Sequence, residues 1–337
     1  MSKLPKVSII TTFYNAEKFI INAIHSVNQQ IINGFDLEYI IVDDKSPDKS
    51  RAIVEQYINN HGNDKIIFRI LSPDENLGCG GARKFGINNA TGDYFMFLDA
   101  DDYYVHKDFV YRALNDIRKE QADIVEYGVL FNQKNGQQIN NSSPQKVVLT
   151  DYKIMELALF KDNLIKFNVW TKIYTRQIIE SYPYSTARTY EDVRTIPIWL
   201  TNAKKIVVMP TPEINYRAAT GSIIREDNIK TRLGTITAIA ELFDNPKFND
   251  LNILKAMYGR AMVDLEAVLH NHSSNDPGFN EMSRLNTKML SKIYPKRYKE
   301  LTFHIEDDGT KQNQKPGKIN INNNESWVEQ LKQQYLF

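Results

Sequence analysis

The residues of this chain that could do chemistry fall into four short strings. The densest is Asp99-Ala100-Asp101-Asp102, which follows the apolar run Tyr94-Phe95-Met96-Phe97-Leu98 and sits where a buried strand should reach solvent. Three carboxylates gathered at one strand end repel one another. The cheapest relief is a divalent cation with oxygen ligands, shared with water and a substrate diphosphate. Taken alone, the string also reads as a solvated acidic turn capping the next helix. Asp43-Asp44-Lys45-Ser46 offers a carboxylate that could accept from a nucleotide's ring N–H or ribose hydroxyl, or a helix N-cap. Tyr14 offers a flat face for a base, or packing. Residues 76–84, with Gly78, Gly80 and Gly81 ahead of Arg83 and Lys84, resemble a phosphate cradle or a turn that needs positive φ. They lack the Gly-Lys-Ser/Thr ending of a P-loop and follow a third strand, not a first. Glu191-Asp192 opens a helical run, where the macrodipole favours acids and where one carboxylate could serve as a general base.

Other chemistries are excluded by composition and spacing. The six histidines show no metal-ligand spacing, and no Gly-x-Ser-x-Gly or Cys-His pairing is present. Cys79 is the only cysteine, which rules out an intramolecular disulfide and a Cys-based zinc site and fits a reducing compartment. Lys and Arg total 42 against 41 Asp and Glu, so a net charge of +1 gives no reason to expect nucleic acid as a partner. Residues 1–6 lack the apolar core of a signal peptide, and no apolar run reaches bilayer length. The expectation is a cytoplasmic protein, with the inner face of the plasma membrane as a docking surface.

The elements that must position these strings alternate. Strands are predicted at Val7–Thr12, Glu38–Asp43, Ile66–Leu71 and Tyr94–Leu98, with helices at about 16–30, 47–60 and 81–90 between them. Unbroken apolar strands imply burial on both faces, hence a mostly parallel sheet with ligands beyond its carboxyl edge. The ends of all four strands put polar or glycine-rich residues on that edge, and a helix start at Glu191-Asp192 can face it. β-like segments follow from Asp123 to Leu149, then helical stretches around 152–160 and 193–202. Beyond Arg225 the pattern becomes helical at about 231–243, 253–269 and 282–293. Trp327, Leu331 and Tyr335, with Val328 beside them, form an apolar stripe at the chain end, read as packing on this chain or a second copy before lipid.

Val7 to Asn15, Ile41 to Ser46, Asn76-Leu77-Gly78, Ala82-Arg83-Lys84, Ala90 to Tyr94 and Phe97 to Asp102, in this order and spacing, resemble the family 2 glycosyltransferases with the GT-A fold. The resemblance continues through Val169 to Tyr174, Glu191-Asp192 and Tyr216-Arg217 with Ser222-Ile223, about two thirds of the chain. It implies a GT-A, nucleotide-diphospho-sugar transferase domain over residues 1–225 with a mostly parallel central sheet. A C-terminal helical region, 226–337, would serve acceptor, oligomer or membrane contact.

The implied activity is inverting transfer from a UDP-sugar to a hydroxyl of a glycan or lipid-linked acceptor, in bacterial surface polysaccharide synthesis. On this resemblance Asp44 would hold the uracil N–H, with Thr12 and Tyr14 completing the base pocket, and Gly78, Arg83 and Asp99 would complete the nucleotide side, Asp99 near the ribose. Asp101 would ligate Mn²⁺ or Mg²⁺, assisted by Asp102, and Asp192 would deprotonate the acceptor. Trp170, Lys172, Glu191 and Arg217 would contact diphosphate or acceptor. Lys45, where the family often has a small residue, and Cys79-Gly80-Gly81 depart from its pattern. A metal-dependent phosphohydrolase, which should carry its nucleophilic Asp after the first strand, and a non-catalytic nucleotide- or glycan-binding subunit are the competing readings.

Overall fold

The computed structural model describes residues 3–132, 138–140, 143–151, 164–217, 229–271, 277–293 and 295. The predicted helical stretch at 152–160, Ser222-Ile223 and the stripe at 327–335 lie outside the described residues. The chain divides into two compact units, Met1–Met155 with Leu164–Thr220, and Glu156–Asn163 with Gly221–Phe337.

The first unit is built on a mixed sheet of ten strands among the described residues. Its strands are β1 (Lys6–Phe13), β2 (Asp36–Asp43), β3 (Ile66–Leu71), β4 (Tyr94–Phe97), β5 (Tyr103–Tyr104), β6 (Ile124–Asn132), β7 (Gln138–Asn140), β8 (Val147–Leu149), β9 (Lys172–Thr175) and β10 (Ile206–Tyr216). They lie in the order β3-β2-β1-β4-β9-β6-β10-β5, with β7 beside β6 and β8 beside β10. The half β3-β2-β1-β4 is wholly parallel, which suits strands as apolar as Ile9-Ile10 and Tyr39 to Val42, all buried. Beyond β4 the sheet alternates, β9 running antiparallel to both β4 and β6 while β6 and β10 are parallel.

Helices α1 (Ile20–Asn28), α2 (Ser50–His61), α3 (Gly78–Asn89) and α4 (Phe109–Lys119) follow the strands, and α5 (Arg176–Ser181) and α6 (Glu191–Asn202) come later. Helices α1, α2 and α3 all begin elsewhere than their sequence pattern predicts, α1 at Ile20 rather than about 16. Helix α2 starts at Ser50, after Pro47, because the Asp48 carboxylate accepts from both the Ser50 amide (3.0 Å) and hydroxyl (2.6 Å) and holds residues 48–50 in a turn. Helix α3 starts three residues early, inside the glycine string.

Among its described residues the second unit packs three helices, α7 (Ile229–Leu242), α8 (Leu251–Asn271) and α9 (Pro277–Ile293), around Ile239, Met257, Tyr258, Met282 and Met289. Tyr258 donates to Asn286 Oδ1 at 2.8 Å within that core, and Arg232 pairs with Asp264 at 2.8 Å. Among the described residues no helix is long and apolar enough to cross a membrane.

Candidate active site

Parallel register brings the functional strings to one edge. Phe13 lies opposite Asp43 and Ile10 opposite Phe97, so the residues just past β1, β2 and β4 leave the sheet together. Thr12 is the penultimate residue of β1, and Tyr14 just beyond it is 55% exposed. Lys45 holds a left-handed φ of 62°, a conformation that glycine adopts at less cost.

Asp44 is buried and its two oxygens accept from the backbone amides of Leu77 (2.8 Å) and Gly78 (2.9 Å). Burial pushes its carboxyl above the usual range, against the pull of these two amides. The glycine string is therefore not an open phosphate cradle. It forms the first turn of α3, and the carboxylate just past β2 already occupies two of its N-terminal N–H groups. Gly78 turns the chain at a φ of +74°, and a Cβ on Gly80 would collide with the carbonyl oxygens of Ser185 and Ala187. Arg188 adds a clasp, its guanidinium donating to Asn76 Oδ1 at 2.9 Å and to its carbonyl at 3.0 Å.

Arg83 is the hub. It is 4% exposed, donates to Asp99 Oδ1 at 2.9 Å and to the Tyr184 hydroxyl at 2.8 Å, and forms a short ion pair with Glu191. A guanidinium so engaged is not a free phosphate contact; it ties α3 to the end of β4 and the start of α6. Glu191 is buried and also accepts from Cys79 Sγ at 3.1 Å, so its carboxylate is committed to internal partners rather than to an acceptor or diphosphate. Tyr190 enters α6 at a left-handed φ of 57°, which costs a non-glycine residue roughly 1–2 kcal/mol. Asp192 accepts from the Val193 amide at 2.8 Å. Burial first, and the neighbouring Glu191 second, push its carboxyl up to about 7.

The aspartates after β4 are sorted by their partners. Burial raises Asp99 despite Arg83 beside it. Burial and Asp99 push Asp101 up to about 6. Asp102 is fully buried. Its Oδ1 accepts from the Arg217 amide at 2.8 Å, and its Oδ2 has no hydrogen-bond partner among the described residues. Such an orphaned acceptor beside two more carboxylates suits a hard cation. Three side-chain ligands from His, Cys, Asp or Glu do not converge anywhere among the described residues. The donor set therefore fits an ion held by one or two carboxylates and completed by a substrate's phosphates, not a protein-enclosed cage.

Two expected contacts lie inside the protein. Lys172 is 1% exposed, donates to the carbonyls of Lys166 (2.8 Å) and Asn168 (2.7 Å) and to the Thr171 hydroxyl (2.9 Å), and faces Glu126 at 3.5 Å. Its three N–H groups are spent, so it cannot reach a diphosphate. Trp170 is buried and stacks on Tyr216, ring centres 5.6 Å apart and 6° from parallel. Arg217 lies beside the aspartates, with its guanidinium 4.7 Å over the Phe19 ring. Tyr184 and Arg188 escaped the sequence reading, because neither sits in a motif or on a periodic face, and the bond from Cys79 to Glu191 had no signal in the sequence.

Residues 8–182, just over half the chain, match the family model described as Glycosyl transferase family 2. The uncharacterized glycosyltransferase EpsJ of Bacillus subtilis is 33% identical over 181 residues, which are 52% of this chain and 50% of EpsJ, so the aligned span is half that relative's length. The poly(ribitol-phosphate) beta-glucosyltransferase of Bacillus spizizenii is 31% identical over 196 residues, 54% of this chain and 30% of that protein. Among solved structures, S. aureus TarS 1–349 superposes with a TM-score of 0.63 at 20% identity, over 87% of this chain and 82% of that one. TarS 1–349 in complex with UDP-GlcNAc gives 0.58 at 19% identity, over 86% and 81%.

Proposed function

The chain belongs to glycosyl transferase family 2, with the GT-A fold, and on that premise we propose that it moves a sugar from a UDP-sugar to a hydroxyl of a glycan or lipid-linked acceptor, with inversion, in bacterial surface polysaccharide synthesis. Family membership makes it a transferase, which removes the phosphohydrolase and the non-catalytic subunit. The observation that carries the reading is the pairing of carboxylates by Arg83: Asp99 and Glu191 are neutralised, and their neighbours Asp101, Asp102 and Asp192 are left for chemistry.

Asp44 and the ring of Tyr14, with Thr12 between the strand ends, make the base side of a donor pocket, and the complexed nucleotide of TarS supports a uridine diphosphate there. Gly78, its amide held by Asp44 and its Cα face covered by Arg188, shapes this pocket by turning the chain rather than by touching the nucleotide. Asp99, fixed by Arg83, lies on the ribose side. Asp101, with Asp102 behind it, is the holder for Mn²⁺ or Mg²⁺, which when bound supplies positive charge to the leaving diphosphate. Asp192 is the general base. As the acceptor oxygen bonds to the anomeric carbon, its proton passes to Asp192 and the bond between that carbon and the diphosphate oxygen breaks. A carboxyl raised toward neutrality is a stronger base than an ordinary aspartate, and such a group contributes about 10² to 10⁴ in rate. We infer that this work is done in the cytoplasm, at the inner face of the plasma membrane.

UDP release across a panel of UDP-sugars, with and without Mn²⁺, tests the reading. One donor should be hydrolysed slowly without acceptor, and metal should be required. No UDP release from any donor, or equal release from an Asp192→Asn variant supplied with acceptor, overturns it.

A further inference from the structure

We propose that Trp170 is a positioning residue for the metal centre: stacked on Tyr216 and locked from behind by the buried Glu126–Lys172 pair, it fixes the end of β10, whose next amide orients Asp102. This rests on the metal-holder reading above. The lock is built on one turn of chain. Glu126 accepts from the Lys166 amide at 3.0 Å, and Lys172, its neighbour across the β6–β9 ladder, donates to the carbonyls of Lys166 and Asn168 at 2.8 and 2.7 Å. The Tyr174 hydroxyl holds the carbonyl of Val169 at 3.0 Å. A buried ion pair adds little net stability, but an ammonium donates three bonds at once, which no apolar side chain can do, and that turns these carbonyls inward. What the pair secures is the 3₁₀ turn Val169–Thr171, with Trp170 at its centre.

The route from Trp170 to the aspartates is short. Its indole lies 5.6 Å from the Tyr216 ring and 6° from parallel, and the Phe131 ring meets the same tyrosine edge-on at 5.4 Å. Tyr216 is the last residue of β10, and among the described residues the ladder between β10 and β6 ends there. Past that point the stack on Trp170 takes over from strand pairing in holding the chain. The Arg217 amide, next along, donates to Asp102 Oδ1 at 2.8 Å, and β5, which starts at the residue after Asp102, pairs with Ile214 and Asn215 of the same strand. Asp102 is thus aimed by β10 as much as by β4. With Oδ1 on that amide and Oδ2 unbonded among the described residues, the direction in which Oδ2 faces a cation follows the end of β10.

The test is the Mn²⁺ affinity of the full chain with UDP present, read from the electron paramagnetic resonance signal of free Mn²⁺, beside calorimetric UDP affinity without metal. Trp170→Leu and Tyr216→Leu, which each remove the stack, should weaken Mn²⁺ binding about fivefold or more and leave metal-free UDP affinity unchanged. Trp170→Phe keeps an aromatic face and should stay within about twofold of wild type. Tyr216 is half-buried, so Tyr216→Leu should fold even if Trp170→Leu does not, as thermal unfolding will show. In an Asp102→Asn background, where Asp101 and the diphosphate remain to bind the ion, neither leucine variant should weaken Mn²⁺ binding further. Wild-type Mn²⁺ affinity in a folded Tyr216→Leu variant, an equal loss in Trp170→Phe, or a loss that persists in full in the Asp102→Asn background overturns the positioning role alone. No Mn²⁺ binding by the wild type with UDP brings down the metal reading and this inference with it.

Discussion

The two acidic strings of the site, Asp99 to Asp102 after β4 and Glu191-Asp192 at the start of α6, are alike in composition and treated alike by the fold. Each has one carboxylate held by Arg83 and at least one left without a cation within ion-pair distance among the described residues. The difference lies in what remains. At α6 the leftover group is a single carboxyl raised to about 7, suited to taking a proton. After β4 two carboxyls remain, one raised to about 6 and one fully buried with an orphaned oxygen, and such a pair is better relieved by a cation than by a proton. On the proposed mechanism one arginine separates structural acids from reactive ones, and the groups it leaves divide between base and metal.

That comparison can be broken or sharpened by substitution. The largest effect should come from Asp192→Asn, which removes the base: transfer should fall by about 10² to 10⁴ while calorimetric UDP affinity stays near wild type. Asp101→Asn should cost transfer several kcal/mol of barrier, on the order of 10²-fold or more, and should abolish the rise in Tm that Mn²⁺ with UDP confers on the wild type. If Mn²⁺ still raises Tm in that variant, the cluster after β4 is not the metal holder. Arg83→Met strands Asp99 and Glu191 together in a buried setting and should destabilise the first unit by about 3 kcal/mol or more, measured by chemical denaturation.

The smallest effect is a shift in pH dependence. A base must be ionised, so the transfer rate should rise with pH through the neutral range and level off above it, since Asp192 is held near 7. Glu191 raises that carboxyl, so Glu191→Gln should move the acid limb to lower pH, by less than about one unit. An upward shift would mean that Arg83, released from Glu191, no longer lowers Asp192.

Much of the first unit was legible because its strands are short apolar runs and its helices are periodic. β3 was read residue for residue, and β1, β2 and β4 to within two residues at either end. The helix starts were not. Asp48 delays α2 by a side-chain turn, and Asp44 draws the glycine string into α3 by capping it across the sheet. Both depend on a carboxylate finding an amide that local pattern does not reveal. The same holds for Lys172 and Trp170. Their string is strand-like, yet nothing in it says that the ammonium will be consumed by carbonyls four and six residues away or that the indole will stack on Tyr216.

By itself the sequence determined which chemical groups arrive at the carboxyl edge of the sheet, because a parallel strand pattern delivers the end of each strand to the same side. It also determined the family, through ordered strings that no single motif could have carried. Only the tertiary structure decided which of those groups are free to react. Ionisation and hydrogen-bond capacity are set by neighbours far away in sequence. Arg83 lies 16 residues from Asp99 and 108 from Glu191. The burial that moves Asp101 and Asp192 toward neutrality exists only once the sheet, α3 and α6 have closed around them.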